Sequence, residues 1–192
     1  MSGYTRSVAK KTVGGFTLVE LLIGLLIFSI IVSAAPPAFQ NMMDRHSADI
    51  ASHAMRQMLM RTRMLALERQ HSLTLCPLSG GTCSSDWSNP LTIFYDENQN
   101  AQHDDQEPII RVLQDHTQRG FWQKTRAEQN YIRFNEQGHA FSSASTLVYC
   151  PDSANQDYAK QIVISFQGRI RSGRYLNSRG TPYSHLKKFT CE

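Results

Sequence analysis

The sequence predicts an α+β fold, a long N-terminal hydrophobic helix packed on a C-terminal antiparallel β-sheet or sandwich. Three observations predict it. An apolar run fills residues 16–35 with Glu20 as its one charge. Apolar residues then recur at helical spacing to about residue 69. From residue 72 short apolar runs alternate with clusters of Gly, Asn, Asp and Ser, the pattern of strands joined by turns.

The leader, residues 1–15, carries Arg6, Lys10 and Lys11 and no acid, so the positive-inside rule keeps it cytoplasmic. Residues 16–35 follow, and a helix of that length spans about 30 Å, the thickness of a bilayer's hydrocarbon core. A competing reading is a secretory signal peptide cut after Ala34 or Ala35, since Val32-Ser33-Ala34 suits that peptidase. Against it, the run exceeds the usual signal core of about 7–15 residues, and Pro36-Pro37 crowds the cut.

Glu20 needs a reason. A carboxylate at mid-bilayer costs about 2–3 kcal/mol and marks function. Its place is expected in the helix's second turn, where attraction to the positive helix end is fading. A chain cut between Gly15 and Phe16 would supply a better partner, a free ammonium on Phe16, one turn away or on a neighbouring subunit.

Pro36-Pro37 is expected to kink or interrupt the helix, because proline removes a donor and clashes with the preceding turn. Residues 36–71 then read as an amphipathic continuation. Its stripe is Phe39, Met43, Ile50, Ala54, Met58 and Leu65. The methionines of this stretch are expected to pack between helix and sheet. Residues 72–192 read as one globular β domain, with strands over 72–76, 91–95, 109–113, 131–134, 147–150 and 161–166.

Cys76, Cys83, Cys150 and Cys191 all lie beyond the apolar run, in what should be an oxidising compartment. Three pairings are open. Cys76–Cys83 would close a short loop through Pro77 and Gly80-Gly81, and Cys150–Cys191 would tie down the C-terminus; this pairing is preferred. A zinc site is the rival, and the spacings fit no usual ligand pattern.

Residues 96–107 are acidic, and Asp96, Asn98, Asn100, Asp104 and Glu107 fall at EF-hand ligand positions. Ala101 stands where that loop wants glycine, and the flanks read as strands. An EF-hand is excluded; a looser calcium-stabilised hairpin stays open beside a plain solvated turn.

Net charge is +4, and it conceals an asymmetry. Lys160, Arg169, Arg171, Arg174, Arg179, Lys187 and Lys188 crowd residues 160–192, against Glu192 alone. Guanidinium forks grip phosphate oxygens in pairs, and interleaved Gly168, Gly173 and Gly180 let a backbone approach. Alternation is expected to place Arg169 and Arg171 on one face of an extended segment. Seven histidines are scattered, and no Gly-x-Ser-x-Gly or His-x-x-x-His pattern occurs. The chain is therefore expected to be no enzyme and to need no cofactor.

The basic leader, Gly15, Phe16-Thr17-Leu18-Val19-Glu20 and the apolar run together resemble the N-terminus of type IV pilins and pseudopilins. The resemblance implies cleavage after Gly15 by a prepilin peptidase and methylation of the Phe16 amine. It implies that Glu20 pairs with that amine on an adjacent subunit during filament assembly. The chain would then be an inner-membrane protein with a single span and a periplasmic domain, later part of a pilus.

Further along, Leu75-Cys76-Pro77, Gly81, Cys83, Trp87, Ile93-Phe94-Tyr95-Asp96 and Ile110-Arg111 are similar to the GspH/FimT family of minor pilins and pseudopilins. So is Ile162-Val163-Ile164-Ser165 leading into Gly168-Arg169-Ile170-Arg171. In the FimT branch a Gly-Arg-x-Arg motif is associated with DNA capture in natural transformation. The resemblance therefore implies DNA as a partner beside other pilin subunits, through Gly168, Arg169 and Arg171, extended by Arg174. Arg179, Lys187 and Lys188 would add charge. Pilins of the FimU kind carry similar Gly-Arg endings, so a purely structural minor pilin, or a type II secretion pseudopilin, stays open.

Overall fold

A computed structural model describes residues 15–114, 119–125, 129–140, 143–153, 158–174 and 191, with backbone alone at residues 34–38 and 174. The described residues form one helix and nine strands. These are α1 (Leu18–Arg69), β1 (Leu73–Ser79), β2 (Thr82–Cys83), β3 (Leu91–Tyr95), β4 (Ile109–Leu113), β5 (Gly120–Thr125), β6 (Ile132–Phe134), β7 (Ser145–Pro151), β8 (Lys160–Ile164) and β9 (Ile170–Arg174). The chain divides into two compact units, Met1–Asn41 and Met42–Glu192.

In the first unit Thr17 caps α1. Its Oγ1 accepts from the Glu20 amide at 3.2 Å, and the Leu21 amide donates to its carbonyl at 3.2 Å. Glu20 is the third helical residue, in the first turn rather than the second. The helix starts later than expected because Gly15 and Phe16 stay outside it, and Thr17-x-x-Glu20 has the spacing of a capping box. The acid thus sits where the positive helix end acts most strongly.

The expected interruption at Pro36-Pro37 is also absent, and α1 is helical throughout. Each proline removes a donor, yet its locked φ near −65° is itself helical. Side chains of residues 15–33 are exposed. Ser29 and Ser33 hide their hydroxyls by donating to the Leu26 and Ile30 carbonyls, both at 2.8 Å. Among the described residues no helix is long and apolar enough to cross a membrane. The expected span, 16–35, ends in residues whose side chains lie outside that description.

In the second unit one sheet has the order β2-β1-β3-β4, with β6 also on β1, and the other has the order β5-β7-β8-β9. All pairings are antiparallel. Alternation decides which face is buried against α1. Leu73 and Leu75 of β1, Leu91 and Ile93 of β3, and Ile132 and Phe134 of β6 share one core with Leu147 and Tyr149 of β7 and Ile162 and Ile164 of β8.

The helix completes that core with Ala48, Ala51, Met55, Met58, Leu59 and Ala66. Of the expected stripe, Met58 lies in the core, Leu65 packs against it and Met43 and Ala54 are half-buried, whereas Phe39 and Ile50 are exposed. Of the methionines expected between helix and sheet, Met42, Met60 and Met64 are exposed. Small residues let helix and sheets approach closely, so the alanines face inward and several bulky side chains are left outside.

Beneath the other face of the first sheet lies a polar cluster. Asp96, fully buried, accepts from Thr74 Oγ1 at 2.6 Å and from Arg133 Nε at 3.0 Å and Nη2 at 2.5 Å. This ties β1, β3 and β6 together. The other face of the second sheet carries a small cluster of Val148, Cys150 and Ala159, with Phe121 and Cys191 against it. Disulfides join Cys76 to Cys83 and Cys150 to Cys191.

Lys124 of β5 is enclosed. Its Nζ donates to the carbonyls of Gln129 at 2.6 Å and Tyr131 at 2.5 Å, and it lies 5.6 Å from the Trp87 ring centre. Burial pushes its pKa down to about 8, while burial and the nearby Asp152 and Asp44 push Tyr149 up to about 12. The unfolded chain therefore holds the lysine proton after the folded chain has released it, so stability rises with pH from about 8 to 10.5. The tyrosine acts oppositely above pH 10, where only the folded state keeps its proton. Unfolding free energy from urea titration is expected to rise between pH 8 and 10, by about 1–2 kcal/mol after discounting for partial exposure, and to fall beyond. Lys124→Met should flatten the rise; a flat wild-type profile would show that the ammonium is not held in a desolvated site.

Candidate nucleic-acid interface

No acid occurs from residue 50 to residue 67, a stretch holding Arg56, Arg61 and Arg63. In the second unit this part of α1 forms one wall of a cleft of about 660 Å³. Arg111 and Leu113 of β4, and Arg169 with Ile170 at the start of β9, complete it. Among the described residues both strands are the ends of their sheets, and the cleft opens between them. Met58, Met60, Met64 and Leu67 supply its apolar surface.

A tight turn places Arg169. The Gly168 amide donates to the Ser165 carbonyl at 2.8 Å, and the Ser165 amide to the Arg169 carbonyl at 3.1 Å. Gly168 has φ +72°, and a Cβ there would stand 1.9 Å from the Gly138 carbonyl oxygen. Arg63 joins the two turns, with Nε donating to Gly138 O at 3.0 Å. It is therefore engaged with backbone. Arg56, Arg61, Arg111 and Arg169 form no ion pair among the described residues, in contrast to Arg119 with Asp44, Arg133 with Asp96 and Lys160 with Asp49. Four guanidinium groups around one concavity, none paired with a carboxylate among the described residues, have the chemistry that suits an anion.

Arg171 is exposed on β9, opposite Val163, but is not part of the cleft lining. Arg169 and Arg171 flank Ile170, which packs against the core, and both are exposed; of the two, Arg169 lines the cleft. Arg174 pairs through its backbone with Lys160. Arg179, Lys187 and Lys188 lie outside the described residues. Sequence reasoning missed the helical arginines and Arg111; the acid-free stretch was the available signal for the helical ones.

The acidic loop serves itself. Glu107 accepts from the amides of Glu97 at 3.0 Å and Asp104 at 3.2 Å, and Asp104 accepts from the side-chain amides of Asn98 at 2.7 Å and Asn100 at 3.2 Å. Asp96 faces Arg133. Among the described residues no three His, Cys, Asp or Glu side chains are grouped to hold a metal ion. Ala101 does adopt the left-handed backbone, at φ +58°.

A capped apolar helix, an acid in its first turn and antiparallel sheets on its continuation define a type IV pilin-like subunit. The chain belongs to the family of the type II transport protein GspH, matched over residues 51–168. Residues 10–36 match the prokaryotic N-terminal methylation motif, which bears on Gly15, Phe16 and Glu20. Arg169, Arg171 and Arg174 fall just beyond the GspH match. Among solved structures the chain is similar to the type IV minor pilin FimU of Pseudomonas aeruginosa. In one crystal form identity is 17% and the TM-score 0.55, covering 68% of this chain and 90% of that one. In another the values are 19% and 0.50, over 64% and 90%. The minor pseudopilin EpsH of the Vibrio cholerae type 2 secretion system gives 12% and 0.45, over 67% and 97%. Comparison with curated proteins gives no match.

Proposed function

We propose that this chain is a minor type IV pilin that binds DNA electrostatically through its basic C-terminal region, for DNA uptake in natural transformation. The observation that carries the reading is the convergence of Arg169 with three further arginines that no carboxylate among the described residues pairs with. With four or five phosphate contacts, log K falls with log salt at a slope of about −4. The test is an electrophoretic shift with the full chain in neutral detergent. The Arg169, Arg171 and Arg174 triple alanine variant is expected to bind less tightly, with a slope shallower by about one for each lost phosphate contact. Absence of retardation by the wild type at low salt would leave the rival, a priming minor pilin or secretion pseudopilin with protein contacts alone. The match to GspH favours that rival.

Assembly in this reading begins from the inner membrane. Prepilin peptidase cuts after Gly15, the amine of Phe16 is methylated, and Glu20 receives it from a neighbouring subunit. Phe16 is well placed for this, 84% exposed ahead of the helix. An unpaired buried charge costs about 3–5 kcal/mol, so Glu20→Ala is expected to lower incorporation into sheared filaments more than tenfold, with membrane levels unchanged. Undiminished incorporation would refute the pairing.

A further inference from the structure

We infer that the cleft between α1, β4 and β9 takes unpaired nucleotides, so that the protein prefers single-stranded DNA, or frayed ends, to blunt duplex. The inference rests on the DNA reading above and adds the form of DNA that the site selects. Its basis is the combination of charge with exposed apolar surface. Met60, Met64 and Leu67 lie at the i, i+4, i+7 spacing of one helix face and are 51%, 60% and 41% exposed. They line the same space as Arg56, Arg61 and Arg169.

Duplex DNA cannot use that surface. It presents phosphates outward and keeps base faces stacked inside, so it would meet the rim arginines and leave the methionines in water. At about 660 Å³ the cleft is in the range that encloses a small organic molecule, the scale of about one or two nucleotides. A single strand offers what the lining lacks: an anion at regular intervals and, between anions, a flat apolar base. Thioethers make favourable contacts with aromatic rings, and guanidinium planes stack on bases. Arg63, held to the Gly138 carbonyl, offers such a plane in a fixed orientation.

The choice of nucleic acid over an acidic peptide follows from the same alternation. Arg56, Met60, Arg61, Arg63 and Met64 interleave charge with apolar surface along less than three turns of helix, which suits a chain whose charge and flat surface alternate.

Fluorescence polarisation on the full chain in neutral detergent tests this, with an oligothymidine probe and a blunt duplex of equal length at one salt concentration. The single strand is expected to bind about tenfold tighter, the scale of one stacked base. The double variant Met60→Ser, Met64→Ser replaces exposed side chains, so its thermal melt should match the wild type. It should lose the preference while keeping duplex affinity and salt slope. Equal affinity of the wild type for both probes, or equal loss for both in the variant, overturns the inference and leaves the DNA reading standing. Displacement of the single strand by polyglutamate at matched charge also overturns it, because the cleft would then read charge alone. If neither probe binds at low salt, this inference and the DNA reading fall together.

Discussion

Replacing Arg133 with alanine is expected to cost about 3–5 kcal/mol of unfolding free energy. Asp96 has no exposed surface, and its carboxylate is held by Arg133 and Thr74. Arg133 is itself 7% exposed. Truncating it leaves an anion in the interior with a hydroxyl and the distant Ala101 amide, 3.4 Å away. Three strands lose their common tie, and the 96–107 loop loses its anchor. Urea unfolding followed by tryptophan fluorescence reads the loss, since Trp87 and Trp122 are both buried. The double variant Asp96→Leu, Arg133→Met should recover more than half of it, because no unpaired charge then remains buried. A loss below about 1 kcal/mol for Arg133→Ala would show that the pair is solvated.

Gly168→Ala is the second large effect, and it bears on how the basic motif is tested. A side chain at φ +72° costs about 1–2 kcal/mol. The new Cβ would also stand 1.9 Å from a backbone carbonyl, which cannot swing away as a side chain would. Overpacking of that kind adds about 1–3 kcal/mol, so the expected cost is about 3 kcal/mol or more. Gly173, in the same hairpin, has nothing among the described residues within 4 Å of its Cβ position. Gly173→Ala should fall within about 0.5 kcal/mol of the wild type. Equal effects at the two positions would refute the steric account. Loss of DNA binding in Gly168→Ala would report a broken turn, so only the arginine variants test phosphate contact.

Much of this was legible beforehand. The helix, the antiparallel sheets and the pilin-like N-terminus were readable because each is a local pattern: a period, an alternation, a motif of adjacent residues. The gaps have physical causes too. Strand β5 escaped notice because Gly120 opens it and Trp122 and Lys124 share its inward face, blurring alternation; that glycine is required because a Cβ would meet the Cys150 carbonyl at 2.4 Å. The helix stripe was legible at Met58 and Leu65 but not at Phe39 and Ile50, which are exposed, and it left out Ala48, Ala51 and Ala66, which the sheets select for close approach.

By itself, then, the sequence determined the element types, the family, and the placing of a lone acid within an N-terminal methylation motif, since all three depend on residues close along the chain. Tertiary structure alone decided that Arg133 neutralises Asp96, that Gly168 must be glycine, and that Arg56, Arg61, Arg111 and Arg169 meet. Those facts join residues many positions apart, and charge or space between such residues is defined only once the strands have paired.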